Sequence, residues 1–414
     1  MSAELISILV LVVIFVLATT RSINMGVLAF AGAFGVGTLV AGMDAKGIFE
    51  GFPGDLFVVL VGVTYLFAIA RATGTTEWLV HASIRLVRGR VALIPWVMFG
   101  VTGVLTAIGA VSPAAVAIVA PLALGFAARY DIKPLLMGAM VVHGAQAGGF
   151  SPISIYGSTV NSIVDREHLA GNELVLFLAS LGVNLVIAAI LFVVLGGLRL
   201  SRTTAHTDAE QAEVPRLTAP RVAVLAALVV LVVAALVFDL DVGLTAITLA
   251  VLLSVVWPDT GRAAVGEVTW PTVLLICGVL TYVGVLQEMG TIDYAGNAVT
   301  GVGVPLLAAL LLCYIGAIVS AFASSVGIMG ALIPLAVPFL AQGTVGPVGM
   351  IAALAVAATV VDVSPFSTNG ALVLANAKDV DRDTFFRQLM VYGGIMVAVV
   401  PVAVWLALVV PGWG

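Results

Sequence analysis

Charge is what this sequence has least of. Of its 414 residues only 9% are Asp, Glu, Lys or Arg, against about a quarter in soluble domains, while 62% are hydrophobic. A water-soluble globular domain is excluded. No basic tract occurs, nor a basic stretch interleaved with aromatics, so no nucleic-acid partner is expected. The two cysteines, Cys277 and Cys313, lie far apart in apolar segments, too few for a disulfide framework or a metal site, and no cofactor is expected. The start, Met1-Ser2-Ala3-Glu4, lacks a positive n-region, so Leu5 to Ala18 is expected as a retained first span. A rhomboid-like protease needs Gly-x-Ser-Gly with a partner His, and a presenilin-like one Gly-x-Gly-Asp. Neither motif is found, and no enzyme is expected.

What the chain has instead is a succession of apolar runs, each of about 20 residues and enough for a hydrocarbon core of about 30 Å. Its 44 glycines suit helices that pack closely without a hydrophobic force between them. The stretch that organises the rest is Phe150-Ser151-Pro152-Ile153-Ser154, because it returns as Val363-Ser364-Pro365-Phe366-Ser367. Each copy sits in the middle of a long apolar segment, Pro134 to Val164 and Pro347 to Ala377. Proline lacks an N–H and its ring clashes with the carbonyl four residues back, so a continuous helix cannot pass. Gly148 and Gly149 loosen the first copy, and Gly370 the second. In lipid an interrupted backbone is tolerated only where protein or a wet cavity surrounds it. Two matched mid-membrane breaks are the sequence mark of a transporter's binding site.

The match extends well beyond the breaks. At one fixed offset Gly103 falls on Gly316, Ser112 on Ser325, Pro121 on Pro334, Ser151 on Ser364, Ser154 on Ser367 and Gly157 on Gly370. The expected fold is an all-α polytopic membrane protein, an inverted repeat of about 5+5 transmembrane helices with two re-entrant hairpins and two broken helices. The first repeat takes residues 1–198, with scaffold helices in 1–91 and hairpin and transport helices in 92–198. A cytoplasmic linker follows over 199–220, and the second repeat over 221–414 divides the same way at 303/304. The hairpins are expected to turn at Val111-Ser112-Pro113 and near Ser324-Ser325, and the stretches Thr76 to Arg90 and Thr291 to Val302 to lie in the interface.

Counting crossings sorts the basic residues. Fifteen, among them Arg21, Arg71, Arg129, Arg221, Arg262 and Lys378, fall on one side, and only Lys46 and Arg166 on the other. The rich side is expected to be cytoplasmic, which puts both termini outside a multi-pass protein of the cell (inner or plasma) membrane.

No Lys or Arg remains in the expected hydrocarbon layer, so an anion there needs another partner. Each break and each hairpin tip starts a helix, and a helix start carries roughly +0.5 of a charge with unpaired N–H groups. Ser112, Ser151, Ser154, Ser158, Thr159, Ser324, Ser325, Ser364, Ser367, Thr368 and Asn369 supply hydroxyl and amide groups there. Singly they read as caps and packing hydroxyls; as a repeat-matched cluster they read as a substrate site. Asp362 is the acidic residue inside an apolar span at a break, and an ionisable group in that place is a functional candidate by default. It heads the candidate coupling-ion set, with Gly148, Gly149 and His143; its plainer role is a helix cap. His143 and Gln146 also read simply as packed polar residues.

The order hairpin, broken helix, inverted repeat resembles the ion transporter superfamily. Within it, Gly109-Ala110-Val111-Ser112-Pro113-Ala114-Ala115 and Gly148-Gly149-Phe150-Ser151-Pro152-Ile153-Ser154-Ile155-Tyr156-Gly157-Ser158 look like the MatC-type malonate/dicarboxylate carriers, relatives of the divalent anion–sodium symporters. The resemblance implies a dicarboxylate held between hairpin tips and broken helices, a homodimer, and elevator movement of a transport domain against a scaffold. It adds the tip positions Pro113, Ala114 and Gly327 to the substrate site. Where the symporters' tips read Ser-Asn-Thr, this chain has Ser112-Pro113-Ala114 and Ser325-Val326-Gly327. The coupling cation is therefore open between sodium and a proton. The alternative function is a cation/proton antiporter or an inorganic-anion carrier of the same superfamily.

Overall fold

The computed structural model describes residues 2–21, 23–87, 90–200, 216–292, 294, 305–321, 325–340, 343, 345–377 and 380–412. Ser324, Lys378 and nearly all of the expected interfacial stretch Thr291 to Val302 lie outside the described residues. The first repeat runs α1 (Ala3–Arg21), α2 (Met25–Leu39), α3 (Ala45–Glu50), α4 (Gly54–Ala72), α5 (Thr75–Ile84), α6 (Ile94–Ala107), α7 (Ser112–Arg129), α8 (Pro134–Gly148), α9 (Ile155–Arg166), α10 (Glu173–Val194) and α11 (Gly197–Leu200). The second runs α12 (Ala219–Leu236), α13 (Val242–Val256), α14 (Pro258–Gly266), α15 (Trp270–Glu288), α16 (Pro305–Ser320), α17 (Ser325–Leu340), α18 (Pro347–Val360), α19 (Thr368–Asn376) and α20 (Arg382–Val404). Among the described residues seven segments are long and apolar enough to cross a membrane by themselves, counting α18 with α19 as one, and six shorter apolar helices accompany them. The short helix α14 has no counterpart in the sequence reading, which passes from Trp257 to Thr272 without an element. It starts at Pro258, where a missing N–H costs nothing.

Packing divides the helices into two groups. In one, α2 crosses α15 and α4 crosses α13, the same pair generated twice by the repeat, with α1 on α2 and α12 on α13. Glycine permits both crossings: a Cβ on Gly278 would stand 2.0 Å from the Gly26 carbonyl oxygen, and one on Gly62 2.5 Å from that of Gly243. In the other group α8 packs on α6, α7 and α10, and α18 packs on α16, α17 and α20, while α10 joins α18 across the repeats. α18 is buried along most of its length, whereas α10 and α12 turn rows of Leu and Val outward, as helices facing lipid do.

Contacts at the helix ends agree with the sorting of charges. At the arginine-rich end Arg71 pairs with Glu267 at 2.5 Å and Arg221 Nε donates to the Thr73 carbonyl at 3.1 Å. At the other end Gln287 Nε2 donates to Glu167 Oε1 at 2.5 Å, and Ser162 Oγ to Asp55 at 3.1 Å.

Candidate functional site

The two breaks are built identically, and serine does the building. Ser154 leaves the helical region at φ −83°, ψ 161°, and Ser367 at φ −81°, ψ 160°. Ser154 Oγ donates to the carbonyls of Gly149 and Ser151, at 2.5 and 2.7 Å, and accepts from Gly157 N at 3.1 Å. Ser367 Oγ donates to the carbonyls of Asp362 and Ser364, at 2.5 and 2.7 Å, and accepts from Gly370 N at 3.3 Å. Each hydroxyl thus closes the end of one half-helix and caps the start of the next, satisfying backbone groups that lipid leaves without partners.

The hairpin tips reach the same depth. Ser151 Oγ donates to the Ala107 carbonyl at the end of α6, so the first tip is level with the first break. Ser325, the first residue of α17, donates to Asp362 Oδ1 at 2.7 Å, which puts the second tip level with the second break. The halves also interlock, α7 lying on α19 and α17 on α9. Four helix starts therefore converge, those of α7, α9, α17 and α19.

A cavity of about 380 Å³ opens onto them. Pro113 and Ala114 line it from α7, Tyr156 from α9, Val326 from α17 and Thr368 from α19. Its opposite wall is the start of α2 (Asn24, Met25) and of α15 (Thr272, Leu275), and among the described residues no Lys or Arg lines it. Asn24 is already committed: its Oδ1 caps α2 and its Nδ2 donates to the Pro271 carbonyl at 2.8 Å. A larger cavity of about 460 Å³ at the other end is lined by Asp44, Glu50, Glu167 and Glu288 together with Arg166, a net acidic lining that disfavours a dianion.

Behind the wall lies a buried polar network. Asp362, 6% exposed, accepts from Ser325, from Gln146 Nε2 at 2.8 Å and, more distantly, from Asn369 Nδ2 at 3.5 Å. Ser320 donates to Ser325 at 2.9 Å, and Asn369 Nδ2 reaches Ser112 Oγ at 2.9 Å. The network residues Ser112, Ser325 and Asn369 are chain neighbours of the lining residues Pro113, Val326 and Thr368.

The structure thus draws Ser112, Pro113, Ala114, Ser325, Asp362, Thr368 and Asn369 to one place. Gly327 is buried against Met25 and Leu275 behind the cavity wall. Other expected residues have local duties. Ser158 bonds the Pro152 carbonyl at 3.2 Å and, with Pro152, lines a separate cavity near Asp55 and Asp241. Thr159 returns its hydroxyl to the Ile155 carbonyl at 2.6 Å, and Ser364 accepts from Phe366 N at 3.3 Å. Gly148 allows α8 to meet α6, a Cβ there falling 1.9 Å from the Gly103 carbonyl, and Gly149 offers its carbonyl to Ser154. His143 is clamped on both sides, Nδ1 to Asn184 Oδ1 at 2.8 Å and Nε2 to the Tyr392 hydroxyl at 2.5 Å. Among the described residues no group of three or more His, Cys, Asp or Glu is placed to hold a metal. Gln146, Tyr156 and Ser320 are absent from the expected site. The signal for Gln146 was an amide in an apolar helix two residues before a break; Tyr156 lay within the quoted motif without being singled out.

This arrangement defines a class: a polytopic membrane protein whose paired hairpins and broken helices meet at one cavity. Residues 1–149 match the family model of the dicarboxylate carrier protein MatC N-terminus, from the first scaffold helices to the first break. No curated protein matches the chain. Among solved structures the chain is similar to the Alcanivorax borkumensis YdaH transporter, whose crystal structure is described as revealing an unusual topology. The TM-score is 0.61 at 15% identity, over 88% of this chain and 89% of that one. The first comparison covers the stretch Gly109 to Ala115 and ends where the second motif begins, and the second comparison extends the fold to nearly the whole length. The family matched over residues 1–149 is one of dicarboxylate carriers, and the likeness at 15% identity shows the fold.

Proposed function

We propose that this protein is a secondary active transporter of small dicarboxylates, malonate or a C4 acid, working by elevator-type alternating access and driven by a co-transported cation. The observation that carries the reading is the 380 Å³ cavity on which four helix starts converge, with no basic side chain among the described residues that line it. Four half-charges suit a ligand of two negative charges with a short spacer. Without a fixed ion pair the complex stays weak enough to release its cargo. The volume lies at the small end of ligand sites, about 300–1,000 Å³, and holds a short diacid with some of its water.

One packing group carries the hairpins and broken helices as the moving body, and the crossed α2/α15 and α4/α13 pairs form the scaffold. The cavity opens at the ends of α2 and α15 nearest Arg21 and Arg262, so on the positive-inside assignment this conformation faces the cytoplasm. The functional unit is a homodimer joined through scaffold helices, in the cell membrane with both termini outside.

Uptake into vesicles containing the purified protein tests this. Labelled malonate or succinate is expected to accumulate under an inward sodium or proton gradient and to be chased by the unlabelled acid. Uptake of an inorganic anion with neither acid competing would replace the reading with an inorganic-anion carrier. Sodium/proton exchange without any acid would replace it with an antiporter.

A further inference from the structure

Beside the 380 Å³ cavity lies a gap of about 30 Å³, room for a water, that shares Val111, Ala114 and Thr269 with it. Its walls are α4 and the first hairpin, and Arg71 and Glu267 line it, joined by their ion pair. Among the described residues Arg71 is the one basic side chain that lines either space. Its polar neighbours are committed elsewhere: Thr64 returns its hydroxyl to the Leu60 carbonyl at 2.7 Å, and Thr76 donates to Glu77 at 2.9 Å. We infer that Arg71 receives the incoming anion at the mouth of the site. A carboxylate of the ligand takes the place of Glu267 before the ligand passes Thr269 and the first hairpin tip into the larger cavity.

The exchange is between like groups, so little stands against it. Arg71 and Glu267 are 42% and 63% exposed, and an ion pair so open to water is held weakly. Glu267, once released, returns to solvent that already covers most of it. Among the described residues the guanidinium gives one N–H, from Nη2, to Glu267, while its fork can offer a carboxylate two parallel bonds. Further in, the ligand meets helix starts and hydroxyls instead of a fixed charge. A charged residue at the mouth thus hastens arrival without adding an ion pair to the bound state.

The repeat sets the two ends of the molecule apart at this position. At the offset that lays Gly62 on Gly278, Arg71 falls on Gln287. The space that Gln287 lines, at the other end, sets four carboxylates against Arg166, whereas the gap beside Arg71 holds Glu267 alone. Equivalent helices therefore carry a cation at one mouth and a neutral amide at the other. On the positive-inside assignment the Arg71 mouth is the cytoplasmic one.

The role of Arg71 rests on the dicarboxylate reading, and one pair of variants tests both. Labelled succinate, malonate and sulfate are offered to membrane vesicles sealed with the arginine-rich face outward, with vesicles lacking the protein as the blank. Arg71→Gln is expected to raise KM about fivefold or more, the loss falling on KM rather than on the maximal rate, and to flatten the dependence on ionic strength. Glu267→Gln is expected to lower KM about twofold, because it frees the guanidinium. A pair that only braces the helices would move KM the same way in both variants; that result, or an unchanged KM in Arg71→Gln, overturns the assignment. If Arg71→Gln fails to fold, the direction of the shift in Glu267→Gln decides. A wild type that carries sulfate and neither acid removes the dicarboxylate reading, and opposite shifts measured with sulfate still keep Arg71 as the receiving residue. Uptake of none of the three removes both.

Discussion

Ser154 and Ser367 show how one residue type serves both structure and site. Their hydroxyls are consumed by the broken backbone, each donating to two carbonyls and accepting from one N–H. Replacement by Ala removes an N-cap worth about 1 kcal/mol. Because the geometries match, Ser154→Ala and Ser367→Ala are expected to lower the melting temperature by similar amounts and leave the preference among acids unchanged. A change of preference at normal stability would make the hydroxyl a ligand. Ser112 and Ser325 occupy matched positions as well, yet they are tied to Asn369 and Asp362. The repeat explains the contrast. At the shared offset Asp362 corresponds to Gly149, Asn369 to Tyr156 and Gln146 to Thr359. Symmetry builds the frame, and the positions that depart from it carry the polar network.

At the scale of elements, prolines inside helices are instructive. Pro121 lies within α7 and Pro401 within α20, so proline in an apolar segment does not by itself break a span. The breaks add a capping serine two residues beyond the proline and a glycine three beyond that serine. Where a Cβ on Gly157 or Gly370 would lie 2.0 Å from the Ser151 or Ser364 carbonyl, the second half-helix can fold back only over glycine. At the end opposite the 380 Å³ cavity, Glu167 after α9 and Gln287 of α15 join the two packing groups. Burial raises the Glu167 carboxyl above its ordinary 4.5, against the opposing effects of Gln287, Arg166 and His168. A raised value means that protonation favours the partly buried position of Glu167, an advantage present below 4.5 and lost as pH rises through the raised value. Acidifying the outside is therefore expected to slow labelling of a cysteine at Ser162, and Glu167→Gln to abolish that pH dependence. A wild type labelled at the same rate throughout that range would remove Glu167 from the closure.

For the whole molecule the testable quantity is orientation. Cys277 and Cys313 are buried at 2% and 0% exposure, so the native thiols give little background. In intact cells an impermeant thiol reagent is expected to label a cysteine introduced at Gly171 from outside and to miss one at Leu217. Labelling at Leu217 would invert the assignment and, with it, the side to which the cavity opens.

Much of this was legible in the chain itself. Membrane residence follows from 9% charge and 62% apolar content, because no soluble core excludes charge so completely. The breaks follow from Ser-Pro beside glycine in an apolar run, because proline and glycine act on the local backbone, and the repeat follows from matched residues at one offset. Which polar residues meet was not legible. Gln146 reaches Asp362 and Asn369 reaches Ser112 across different repeats, and nothing local to any of them names its partner. The packing of α8 on the turn after α18, and of α7 on α19, brings those side chains together. A buried polar atom takes its role from whatever lies within about 3 Å, and in this protein that is decided by helices far apart in sequence.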